Sequence, residues 1–299
     1  MSVIEPGSAE SDPALDRAKR KGRLFHGILA VAASVGVLSL ALLFADIIYE
    51  SVVGMLTFGI DPAAFLTQPS SARAEQAGFM AAIIASIWLL ALTAIFAFFV
   101  GVGCAIYLVE YAPQNRTTRL IEANLTNLAG VPSIVYGLLV LAAIVNGVGM
   151  GAIILSGAIA LALLVMPIII VTTIEALRGV PGGLRDGSAA TGATRWQTIR
   201  EVVLPAAMPG IITGTILALA RAIGETAPLI MVGALLHARQ VPGPFDHFSA
   251  MPTQIYNWTF LADPHYTALA ALGIVVLLSI LLGMNALAVY LRKRYETVI

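Results

Sequence analysis

Arg221 and Glu225 stand inside an otherwise uncharged stretch, four residues apart, so a helix would bring them to one face. A charge at mid-membrane costs about 2.5–3.5 kcal/mol on insertion scales, and such residues face a bundle interior or an aqueous cavity. A guanidinium presents a planar fork of donors that suits the paired oxygens of a tetrahedral oxyanion. A neighbouring carboxylate would weaken that grip, and conduction requires release. The same pair could instead pin helices together as an internal salt bridge. Both readings stand at this point, and with Thr226 beside them these are the candidate substrate-pathway residues. No Ser/His or paired-Asp set points to a catalytic site. His237, His247 and His265 lack metal-ligand spacing, no Gly-x4-Gly-Lys nucleotide loop occurs, and the lone Cys104 allows no intrachain disulfide.

The elements that would carry the pair are membrane spans. Of 299 residues, 59% are hydrophobic and 11% charged, against about 25% charged in soluble domains. A soluble enzyme is excluded. The zero net charge gives no sign of a nucleic-acid partner. A crossing needs about 20 apolar residues. Leu24–Ala45 makes one, read as an uncleaved span, and Gln76–Val109 makes a second. Ala123–Ile174 is uncharged and would run to about 78 Å as one helix, so it must fold back. Asn146–Gly151 is the expected turn between spans near Leu125–Val145 and Ala152–Ile174. The fifth runs from about Pro209 to Leu236 and the sixth from about Thr267 to Leu291. The fold class is therefore all-α, a polytopic membrane protein with six transmembrane helices. Residues 1–23 form a tail and 24–299 the membrane domain. Pro132 and Pro167 are expected to mark kinks, and Gly210 and Gly214 a close helix seam.

The basic residues set the expected orientation. Fourteen of them lie in the amino-terminal segment, the loops after spans two and four, and the carboxyl-terminal tail; the other loops hold Arg73 and Arg239. By the positive-inside rule both termini are cytoplasmic.

The loop 175–208 is more than a connector. Pro181-Gly182-Gly183 marks a turn and a short helix follows. After Gly192 comes a second helical piece, with Trp196, Ile199 and Val203 as an apolar stripe and Pro205 as its stop. Such a helix can lie on lipid or dock in a partner's groove.

The spacing Asp186-Gly-Ser-x3-Gly192-x9-Val202-x-Leu204-Pro205 resembles the EAA loop of ABC-importer permeases, with Asp186 for the family's glutamate and Gly187-Ser188 for its alanines. Gly130-Val-Pro-Ser-Ile-Val-Tyr-Gly137, Arg221-Ala-Ile-Gly-Glu-Thr-Ala-Pro228 and Ser249-Ala-Met-Pro-x-Gln-Ile-Tyr256 are similar to the phosphate permeases of the PstA type. The resemblance covers about Ala77 to the end, with a core of about 77–291. It implies a type I ABC importer permease fold in the cell membrane and transport without an enzymatic activity of its own. It implies no directly bound cofactor, since ATP would be used by two ATP-binding subunits. Those subunits would engage Asp186, Gly192, Trp196, Ile199, Leu204 and Pro205. A PstC-type second permease chain and an external phosphate-binding protein complete the implied assembly. A permease for a related oxyanion, or a self-sufficient anion transporter built on the Arg221–Glu225 pair, is the alternative.

Overall fold

The computed structural model describes residues 13–71, 73–234 and 241–296. Most of the tail, the end of the expected fifth span at Leu236, His237 and Arg239 lie outside the described residues. All regular structure among the described residues is helical. Five helices are long and apolar enough to cross a membrane, and a bent pair makes a sixth candidate.

Packing divides the chain into Met1–Tyr49 and Glu50–Ile299. The first unit carries the greater part of α1 (Pro13–Phe58). There Leu24, Ile28, Val35 and Leu42 are all exposed, as expected of a helix apolar on every side whose solvent is lipid.

The second unit holds the remaining elements. α2 (Pro62–Thr67) leads to α3 (Met80–Ile106), which ends in a π-helical turn at Tyr107–Tyr111. α4 (Arg116–Leu128) and α5 (Ser133–Val140) follow, α5 extended by a π turn at Leu141–Gly147. Then come α6 (Ile154–Arg178), α7 (Gly182–Ala190) and α8 (Arg195–Thr198). A π turn at Ile199–Val203 joins α8 to α9 (Leu204–Ile223). α10 (Ala227–Val232), α11 (Met251–Thr259) and α12 (Pro264–Glu296) complete the order.

Backbone chemistry explains the departures from the expected spans. The third crossing is not one straight helix from Leu125. Pro132 lacks an amide and excludes the preceding turn, so the chain breaks there and α4 and α5 bend by 101°. The expected turn after it is present, with Gly149 and Gly151 at φ of 76° and 82°. Pro205 does not stop its helix. The Leu204 amide bonds back to the Ile199 carbonyl through the wide π turn, and one helical segment runs from Arg195 to Ile223. Pro167 lies within α6, which continues through it.

α6 is the central helix, packed between α3 and α9. Its neighbours approach closely because the contact residues are small. A Cβ on Gly214 would stand 2.5 Å from Thr172 Oγ1, and one on Gly210 2.8 Å from Ala176 Cβ, so the expected seam is an α6–α9 contact. Leu108, Ile174, Leu177, Val203 and Ala207 close one end of the core. Phe65, Phe79 and Trp258 stack in another cluster with ring centroids 5.2–6.1 Å apart.

Gly137 tests this packing. A Cβ there would lie 2.7 Å from both Cα and O of Pro228, backbone atoms that cannot rotate away. Gly137→Ala is expected to destabilise by about 1–3 kcal/mol, read as a lower thermal midpoint of the purified protein. Gly183→Ala, with open space around it, should not lower the midpoint. An unchanged midpoint in Gly137→Ala would refute the close approach of α5 and α10.

Candidate functional site

The segment between α6 and α9, the expected docking loop, folds as a module of two short helices, α7 and α8. None of α7's residues is buried, so apolar packing does not hold it in place. Polar contacts do. Arg185 Nη2 lies 3.0 Å from Glu110 Oε1 and donates to the Leu177 carbonyl at 2.8 Å, while Nη1 donates to the Val180 carbonyl at 2.7 Å. The Leu177 carbonyl lies in the last turn of α6 and the Val180 carbonyl just beyond its cap, where the negative end of the helix dipole favours a cation. Glu110 sits on the π turn after α3 and is only 7% exposed. One guanidinium thus ties α7 to α3 and α6 together. The Ser188 and Thr198 hydroxyls, 2.9 Å apart, link α7 to α8.

Arg185 and Glu110 escaped the sequence analysis as site residues. Glu110 was legible as the first acid after an uncharged run of more than thirty residues, and a buried acid at that depth demands a partner.

Gly192 joins the two short helices at φ +85°. Nothing lies within 4 Å of where its Cβ would be, so backbone conformation, not space, selects glycine. Thr194 and Gln197 form a reciprocal cap that starts α8. The expected apolar stripe splits. Ile199 and Val203 are 1% and 0% exposed beneath the bundle end, whereas Trp196 is 55% exposed. Trp196 lies a turn beyond the core residues that cover Ile199, and so projects outward. Leu184, Asp186 and Pro205 are also exposed, and Leu204 is half-buried. Arg195 lies over the Tyr111 ring at 5.1 Å.

The candidate pathway residues lie at the opposite end of α9. The expected single helix is corrected here. α9 ends at Ile223, Gly224 caps it, and Thr226 begins α10 with Pro228 in its first turn. Glycine is a poor helix former and Pro228 cannot continue the ladder, so the span breaks between the two charges. Arg221 Nε still donates to Glu225 Oε1 at 3.4 Å. Their side chains are 50% and 20% exposed, so the pair is not a buried pin. An exposed pair of this length contributes little to stability. Thr226 is half-buried beside them.

Glu110→Gln removes the charge that fixes Arg185 but leaves the Leu177 and Val180 carbonyls. Amide exchange across α7 should then rise about tenfold or more, as for loss of one charge-assisted hydrogen bond, with α6 unchanged. Exchange in α7 equal to that of the parent chain would show that the clamp does not hold the module.

Residues 97–297 match the family described as binding-protein-dependent transport system inner membrane component. The probable ABC transporter permease protein YqgI of Bacillus subtilis is 36% identical over 73% of this chain and 72% of its own length. The phosphate transport system permease protein PstA of Haemophilus influenzae is 30% identical, covering 89% of this chain and 92% of that one. Among solved structures, a bacterial alginate ABC transporter chain, crystallised with its alginate-bound periplasmic protein, superposes with a TM-score of 0.66. It covers 95% of this chain and 98% of that chain at 14% identity, a likeness of fold. With its helical architecture and a family match across two thirds of its length, the chain belongs to the inner membrane components of binding-protein-dependent transport systems.

Proposed function

We propose that this chain forms half of the membrane pathway of an ATP-driven phosphate importer and passes the work of ATPase subunits to that pathway through α7 and α8. The observation that carries this reading is the continuous helical segment Arg195–Ile223, which begins with the exposed docking residues and ends at Arg221. At 1.5 Å per residue it spans about 43 Å, enough to connect one membrane face with the substrate route. A displacement of α8 would therefore be felt at Arg221 without a chain of side-chain contacts between them. Phosphate as the substrate is supported by the names of PstA relatives at 30–36% identity.

In this reading Arg221 offers its fork to the anion, Glu225 limits the hold, and Thr226 supplies a hydroxyl. Asp186, Gly192, Trp196 and Pro205 shape the outer face of the docking module formed by α7 and α8, while Ile199 and Leu204 root it in the bundle. The chain binds no cofactor; two partner ATPases use the ATP. A PstC-type permease supplies the other half of the pathway and an external binding protein delivers the anion. The docking module and both termini are cytoplasmic, in keeping with the basic-residue asymmetry.

One experiment tests docking and orientation together. In a Cys104→Ser background, Trp196→Cys should cross-link to a co-expressed ATPase and resist an impermeant thiol reagent in intact cells. External labelling would overturn the orientation. Gly192→Val forces a branched residue into left-handed backbone, a cost of about 1–2 kcal/mol or more. It should abolish ATP-dependent uptake while membrane insertion persists. Normal uptake would refute a role for this turn in coupling.

A second experiment separates pathway from pin. Arg221→Gln is expected to lower phosphate uptake about tenfold or more, the scale of one lost charge-assisted hydrogen bond. Arg221→Lys should restore part of it, because an ammonium keeps the charge and loses the fork. Arg221→Gln combined with Glu225→Gln should remain poorly active in an assembled complex. Normal uptake by the double variant would sink the pathway role.

A further inference from the structure

We propose that α4 is not part of a crossing but an interfacial helix, seated on anionic lipid at the membrane face that carries the docking module. The proposal requires only that the chain spans a membrane, so it stands or falls apart from the choice of substrate. α4 is a short helix of thirteen residues, about 20 Å long. Its axis is turned by 101° from α5. A helix so turned from a crossing element runs more nearly along the membrane plane than through it.

The contacts settle how α4 is rotated. Thr118 is buried, Leu125 packs on the core cluster of Leu108, Ile174 and Leu177, and Glu122 accepts from Arg178 Nη2 at 2.7 Å. At about 100° per residue, these three define one sector, facing the bundle. A second sector, on one flank of the first, holds Ile121 and Leu128, both exposed, with the polar Thr117 and Asn124 beyond them and Leu120 further round, next to Arg116. The third holds Arg116, Arg119 and Thr126, also exposed. Bundle, apolar and basic sectors in this sequence around one helix are what a protein-anchored helix at the lipid–water boundary requires. The apolar sector is continued beyond the bend by the exposed Ile134, Val135, Leu138 and Leu139 of the crossing element. The two arginines stand where lipid phosphates would be, and a basic side chain at that level is attracted to an anionic leaflet.

Lipid is therefore the occupant of the Ile121–Leu128 face. The test uses the complete transporter in a Cys104→Ser background, with spin labels at Ile121→Cys, Leu128→Cys or Thr126→Cys. Vesicles of phosphatidylcholine are compared with vesicles that also contain phosphatidylglycerol. Labels at 121 and 128 should be relaxed by oxygen more than by a nickel chelate, and the label at 126 should show the reverse. Phosphatidylglycerol should shift the 121 label deeper, and that shift should be lost in Arg116→Gln/Arg119→Gln. Nickel access at 121 and 128 equal to that at 126 would overturn the proposal. So would protection of 121 and 128 from both reagents, the signature of cover by a second protein chain. A depth indifferent to phosphatidylglycerol in the parent chain would equally refute the anionic contact.

Discussion

A helix without a buried side chain has no hydrophobic reason to stay where it is, and α7 is such a helix. Its position depends on one guanidinium. Arg185 has five donors in a rigid plane, and the structure aims them at a nearly buried carboxylate and the Leu177 and Val180 carbonyls. Glu110 would be costly at its depth without a cation, and each carbonyl would lose a donor. The arrangement joins α7 to two of the most tightly packed helices while leaving its outer surface available to another protein. Apolar burial would have covered that surface.

The same logic explains why the helix that begins at Arg195 is continuous where Pro205 and Pro209 would be expected to interrupt it. The π turn at Ile199–Val203 shifts the hydrogen-bond register ahead of the first proline. Ile199 and Val203 anchor that turn in the core, and Gly210 and Gly214 let the next two turns press against α6. A helix held along one side in this way transmits displacement along its axis. The break comes only at Gly224, beyond Arg221, where loosened backbone gives a charged pair access to its surroundings. Stiffness and interruption lie at opposite ends of one segment.

Small residues and prolines divide the work in the rest of the bundle. Gly137 against Pro228 and Gly101 against Ile169 allow approaches that larger side chains would prevent. Pro132 divides the segment 116–147 into two helical pieces set at 101° to each other. In lipid, hydrophobicity gives helices little reason to associate, so these steric features decide which helices meet.

The amino-acid sequence by itself determined the membrane class, the turn at Asn146–Gly151, the Gly210–Gly214 seam and the pair of short helices that meet at Gly192. These follow from quantities that are additive or local: apolar length against bilayer thickness, glycine's access to positive φ, and motif spacing. The tertiary structure decided what depends on partners distant in sequence. Glu110 and Arg185 are 75 positions apart, and nothing local pairs them. Trp196 leaves the stripe it shares with Ile199 because the core ends between them, a boundary that periodicity does not contain. The Arg221–Glu225 contact survives a helix break that i,i+4 spacing alone would not reveal. Pro205 reads as a stop until a π turn accommodates it, since a proline's effect depends on the hydrogen-bond register around it, and packing sets that register.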